Sequence, residues 1–292
     1  MALDKPLNLT FLKEDNVVND SKSKDMLKNQ IKELEKLIKK KEKSFNELLF
    51  FKELTVSGET TLPSEWVSNV YKERNLTEFA DKSGSDKGFA KHLYTTIYQE
   101  FIDPLKVNHL LEIGLLCHAD QRALGGGNTF NKAPSLEMWC EYLPNTEVFG
   151  FDIQDFSKAK GNWKAFIQGD QSKREDLDKI LEKQKHFDVI IDDALHASKH
   201  QQITFSYLFK NVNSGGFYII EDLHYQPEGE GDEIKTQVLL KELAITSKWK
   251  SKHSTKDEAS YIEKNIDEIY FFDSMKFPRK TSRDAICVIL KK

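Results

Sequence analysis

The chain has 292 residues, enough for about two domains, or for one large α/β domain with an extension. Its 39% hydrophobic and 11% aromatic content excludes a wholly disordered chain. A formal charge of -4, with arginine confined to Arg74, Arg122, Arg174, Arg279 and Arg283, excludes a non-specific nucleic-acid binder, which needs a basic surplus to neutralise phosphates.

The opening residues carry acids early and no long apolar run, so they do not read as a signal peptide, and no segment approaches a membrane span. Cys117, Cys140 and Cys287 are odd in number and form no CxxC pair. That pattern points to a reducing, cytoplasmic setting rather than to a disulfide scaffold. From about Ser21 to Leu54 there is no Gly or Pro, and Leu27, Ile31, Leu34, Ile38, Phe45 and Leu48 follow a heptad-like spacing. This predicts an amphipathic helix, packed on its own domain or paired across the interface of a homo-oligomer. Residues 55–63 read as a linker. Residues 64–105 read as helical pieces broken at DKSGSDKG, the second running from about Phe89 to Phe101 with Leu93, Ile97 and Phe101 on one face. Residues 1–105 are therefore expected to be a helical extension and 106–292 the main domain.

From Val107 the pattern changes. Short apolar runs (HLLEIG, EVFGFDI, KAFIQGD, FDVIIDD, GFYIIED) alternate with polar helical stretches at about 135–142, 172–183 and 200–209. Such alternation predicts an α/β fold, a parallel Rossmann-like sheet with helices on both faces. A helix from Ile234 to about Trp249 follows, and IDEIYFFDS and AICVILK are placed as a closing antiparallel hairpin.

In such sheets, ligands bind beyond the carboxyl ends of the strands, where strand order reverses. The first strand ends at Glu112-Ile113-Gly114, where glycine permits close approach to the backbone. The second ends at Asp152, placed to accept bonds from ribose hydroxyls, and the third at Gly169-Asp170. A dinucleotide needs G-x-G-x-x-G at the first turn, and Gly114-Leu115-Leu116-Cys117-His118-Ala119 lacks it. S-adenosylmethionine carries no phosphate and is favoured over a nicotinamide dinucleotide.

The fourth strand ends at Asp192-Asp193, followed by His196, and the fifth at Glu221-Asp222. Adjacent strands lie ~4.8 Å apart, so Asp193, Glu221 and Asp222 would converge. Carboxylates this close repel one another unless a cation binds, and Mg²⁺ is the first choice. His196 is positioned to take a proton from a metal-bound alcohol. The same acids could instead cap the following helices. His200 and His224 are given no role.

The strings LLEIG, PSLEMWCEYLPN, VFGFDIQDF, QGDQS, FDVIIDDALH and GGFYIIEDLH occur in order over roughly residues 80–225. They resemble the metal-dependent macrolide-sugar O-methyltransferases of the mycinamicin and demethylmacrocin type, to which cephalosporin-hydroxylase-like proteins are related. DKSGSDKGFAKHLYTTIYQEF resembles that family's helix leading into the first strand. The resemblance implies a class I S-adenosylmethionine methyltransferase with Asp193, Glu221 and Asp222 as Mg²⁺ ligands and His196 as base. It also implies that Asp152 holds the ribose, that Asp170 lies at the adenine end, and that Gly114, Ser135 and Trp139 lie near the methionine end. Glu112 and Asp192, the neighbouring strand-end acids, complete the expected cofactor-binding set. The acceptor that the resemblance implies is a sugar hydroxyl on a macrolide, another glycosylated metabolite or a polysaccharide.

Overall fold

The computed structural model describes residues 75–89, 92–115, 129–225, 227, 231, 233–272 and 285–292. The expected helix of residues 21–54 and the linker of 55–63 lie outside them. Among the described residues no helix is long and apolar enough to cross a membrane.

Among the described residues, two short helices, α1 (Leu76–Ser83) and α2 (Thr95–Phe101), precede the sheet. The core then runs β1 (His109–Ile113), α3 (Pro134–Tyr142), β2 (Glu147–Asp152), β3 (Ala165–Gln168), α4 (Arg174–Lys183), β4 (Phe187–Asp192), α5 (Ser198–Leu208) and β5 (Val212–Ile220). It ends with α6 (Thr236–Thr246), α7 (Lys256–Asn265), β6 (Ile266–Phe272) and β7 (Ile286–Lys291). Among the described residues the sheet has seven strands in the order β3-β2-β1-β4-β5-β7-β6. β1 to β5 are parallel, and β7 pairs antiparallel with both β5 and β6. This is the Rossmann-like parallel arrangement expected from the strand-helix alternation, with the closing antiparallel hairpin formed by β6 and β7. Both faces of the central strands are covered, so Leu110, Leu111, Ile113, Val189, Ile190 and Ile191 are all buried.

The two compact units of the chain divide between Val70 and Tyr71, and the sheet belongs to Tyr71–Lys292. Within that unit α1 packs on α3. The expected helix over 89–101 is shorter than its apolar spacing suggested. Leu93 adopts φ +57, and helical geometry begins only at Thr95. The turn before α2 is closed by His92 N donating to Asp86 O at 3.0 Å and Leu93 N to Gly88 O at 2.9 Å. Gly88 is required because a Cβ there would lie 2.3 Å from Asp81 Oδ1 and 2.9 Å from Ala80 Cβ of α1. Helix α7 was not anticipated, although Thr255 and Glu258 at its start form a full capping box.

Sheet order reverses between β1 and β4, which pair from Leu110–Val189 to Ile113–Asp192. Just beyond, Gly114 has φ +90, and a Cβ would meet Asp193 O at 2.3 Å and Ala194 Cα at 2.4 Å. The approach that demands glycine is thus made by the chain's own backbone leaving β4. Gly114→Ala combines αL strain with a backbone clash and should cost about 3 kcal/mol or more. Calorimetry should show a melting point lower by about 10 °C. An unchanged melting point would contradict this account of the turn.

Candidate active site

The ends of β4 and β5 bring Asp193 and Asp222 together with His196, whereas Glu221 lies outside that group and faces Lys87 with Glu112 of β1. Asp193 N donates to Ile113 O at 2.8 Å, and Glu221 N to Asp192 O at 3.0 Å, so these backbone bonds carry the ladder one residue past the strands. His196 (φ +59) and Asp222 (φ +50) both sit in the left-handed region. Such backbone costs energy and persists where the surrounding structure imposes it, often at functional sites.

The cluster has two sides. On the outer side, donor atoms of Asp193, His196 and Asp222 lie within 4.8 Å of one another. His196 Nε2 is 3.7 Å from Asp222 Oδ2, and His224 Nδ1 is 4.0 Å from Asp222 Oδ1. Tyr94 Oη donates to Asp222 Oδ1 at 2.6 Å. Burial alone would raise the Asp222 carboxyl, but His196, His92, the Tyr94 hydroxyl and His224 bring it below the usual range. The buried Nδ1 of His196 has no hydrogen-bond partner among the described residues.

On the inner side stands Lys87, whose side chain is 1% exposed. Its ammonium is 2.8 Å from Glu221 Oε1, 3.2 Å from Glu112 Oε1, and hydrogen-bonded to Asp193 Oδ2. Tyr98 Oη also donates to Glu221 Oε1. Burial disfavours the Lys87 ammonium, yet Asp193, Glu221 and Glu112 outweigh it and hold its pKa well above the ordinary value. Burial pushes Asp193 and Glu221 well upward; Asp86 and Asp222 add to the shift at Asp193, and Asp193 adds to it at Glu221. Three carboxylates, those of Glu112, Asp193 and Glu221, therefore share one ammonium. The carboxylate oxygens of Asp193 and Asp222 suit a hard divalent cation, and bonds of 2.0–2.6 Å span their separation.

The residues expected on the cofactor side are placed as follows. Asp152 is buried, and its oxygens accept from Leu115 N and Gln154 N, each at 2.7 Å. Burial raises its pKa. Asp170 Oδ1 accepts from Ser172 N at 2.9 Å and Ser172 Oγ at 2.7 Å, and so orders the turn that leads into α4. Asp192 is fully buried, pushed up to about 6 by burial, and accepts from Gln171 Nε2 at 3.1 Å. Glu112 is buried beside Ser135 and Trp139, and burial raises its carboxyl despite Lys87. A small cleft beside the acid cluster is lined by Ser85, Asp86, Lys87, Gly114, Leu115, Ser135 and Asp193.

Sequence reasoning missed Lys87, Tyr94 and Tyr98. DKSGSDKG read as a break, and only GSDKGFAKHLY as a block within a resemblance hinted at a site. Lys87 lies 106 residues from Asp193 and 134 from Glu221, and no local periodicity registers such a contact.

No protein-family model matches the chain. It is 29% identical over 222 residues to mycinamicin VI 2''-O-methyltransferase of Micromonospora griseorubida, covering 72% of this chain and 53% of that protein. It is 29% identical over 219 residues to 8-demethyl-8-alpha-L-rhamnosyl tetracenomycin-C 2'-O-methyltransferase of Streptomyces olivaceus, covering 72% and 56%. Among solved structures it is similar to the MycE methyltransferase of mycinamycin biosynthesis in complex with Mg and SAH. The TM-score is 0.57 at 26% identity, over 74% of this chain and 54% of that one. The chain thus resembles the sugar O-methyltransferases of the mycinamicin type, and it spans about half the length of the curated relatives it matches.

Proposed function

We propose that this protein is a Mg²⁺- and S-adenosylmethionine-dependent O-methyltransferase that methylates a sugar hydroxyl. The observation that carries the reading is the Asp193–His196–Asp222 cluster at the β1/β4 switch point, on a sheet similar to that of MycE. When bound, the sulfonium supplies the methyl group and the dication lowers the pKa of the acceptor hydroxyl.

The chain's own residues supply the rest. Asp193, Glu221 and Asp222 hold the dication, with Glu221 doing so from the inner side. His196 takes the hydroxyl proton, and Asp222, 3.7 Å away, stabilises the imidazolium that forms. The bound cofactor would supply its methyl carbon to the deprotonated hydroxyl oxygen and leave as the thioether S-adenosylhomocysteine. Asp152 holds the ribose, Asp170 the adenine end, and Glu112, Gly114, Ser135, Trp139 and Asp192 the remaining wall of the cofactor site. Tyr225, 52% exposed and edge-on to His196 at 6.0 Å, offers an apolar face to the acceptor sugar. In this reading the protein works as a cytoplasmic homo-oligomer.

Calorimetry with S-adenosylhomocysteine, NAD and NADP decides between this and a nicotinamide-dependent oxidoreductase. The expected result is saturable binding of S-adenosylhomocysteine alone. Binding of a dinucleotide instead would overturn the proposal.

A further inference from the structure

Lys87 belongs to none of the roles above. It comes from the turn between α1 and α2, not from the sheet. Yet its ammonium reaches the ends of three neighbouring strands: Glu112 of β1, Asp193 after β4 and Glu221 after β5. Its backbone is held as well, since its carbonyl accepts from Thr95 N at 3.2 Å at the start of α2. α2 also carries Tyr98, which donates to the same Glu221 oxygen as Lys87.

We infer that Lys87 is a positioning residue for the divalent-cation site: its ammonium fixes the carboxylates of Asp193 and Glu221 in the orientation that presents them to the ion, and Tyr98 supports it. The inference rests on the proposed metal-dependent reading. Two opposing effects bear on it. An ammonium beside a dication repels it, so its loss could tighten binding. Against this, the ammonium is the shared partner of three buried carboxylates, and without it they repel one another and lose their common anchor. Outer partners of ligating carboxylates typically contribute 10–100-fold to metal affinity. With every carboxylate but Asp193 almost fully buried, loss of orientation is the larger effect.

The same geometry couples the two halves of the site. Glu112 lies beside Ser135 and Trp139 on the cofactor side, and Lys87 ties it to Asp193 and Glu221 on the metal side. Metal binding and S-adenosylhomocysteine binding are therefore expected to favour one another through Lys87.

The experiment titrates Mn²⁺ into the full chain, following free Mn²⁺ by electron paramagnetic resonance, with and without S-adenosylhomocysteine. Wild type, Lys87→Met and Tyr98→Phe are compared, and melting curves report folding. In Lys87→Met, Mn²⁺ affinity should fall by about 10–100-fold, and the gain in affinity on adding S-adenosylhomocysteine should shrink. Tyr98→Phe removes one hydroxyl and should fall by a smaller factor. If Lys87→Met fails to fold, Tyr98→Phe decides. Mn²⁺ binding by folded variants as tight as wild type, or tighter, would overturn the positioning role. Absence of Mn²⁺ binding by wild type would instead overturn the metal-dependent reading on which it rests.

Discussion

His196→Asn will suppress methyl transfer to a deoxysugar glycoside by about 10²–10⁴-fold, the usual contribution of a positioned general base. Binding of S-adenosylhomocysteine will stay at wild-type strength, because His196 stands on the acid-cluster side of the crevice and not against Asp152 or Asp170. Asparagine is the informative substitution. His196 has φ +59, a conformation that Asn adopts readily and Ala does not. His196→Ala would mix lost chemistry with backbone strain. Turnover by His196→Asn at the wild-type rate would remove His196 from the mechanism.

Chelation by EDTA will halt transfer, with a loss on the order of 10³-fold if the ion contributes the several kcal/mol typical of hydroxyl activation. Added Mg²⁺ or Mn²⁺ will restore it. The physical basis is the charge imbalance: Glu112, Asp193 and Glu221 share the Lys87 ammonium, and Asp222 stands beside His196 and His224. Asp222→Asn isolates the outer side. Asp222 has φ +50, which Asn tolerates, so the fold should survive while one anionic ligand is lost. Mg²⁺ should raise the melting point of wild type and raise that of the variant much less. Full activity in EDTA would eliminate the ion from the reaction, and an equal Mg²⁺ shift in both proteins would place it elsewhere.

The net charge of -4 acquires a location in this light. Part of the acidic surplus stands at two strand ends, where Asp193 and Asp222 keep 15% and 13% of their side chains exposed. A dication bound there would offset much of it.

Much of the fold and part of the site were legible in the chain itself. Each central strand is a short apolar run ending in Gly or an acid, because a strand covered on both faces must be continuously hydrophobic. Strand ends are also where this topology opens its crevice, so Asp152, Asp193, Glu221 and Asp222 could be placed by counting alone. Helix α7 shows a signal present but unread: Thr255 and Glu258 have the spacing of a capping box, yet the helix has only Ile262 fully buried and so no apolar stripe. Leu93 misled for the opposite reason. It fits a helical face by spacing, but the backbone turns at φ +57 to bring Lys87 and Tyr94 to the sheet edge.

The sequence by itself determined the sheet, its strand ends and the acids they carry, because these follow from short-range periodicity and from a topology with few alternatives. Only the tertiary structure decided that Gly114 makes room for the backbone at 193–194, and that Lys87, Tyr94 and Tyr98 complete the acid cluster. A buried ion pair joining residues more than a hundred positions apart leaves no local pattern. It exists because desolvated carboxylates require a cation or a donor wherever the chain can deliver one.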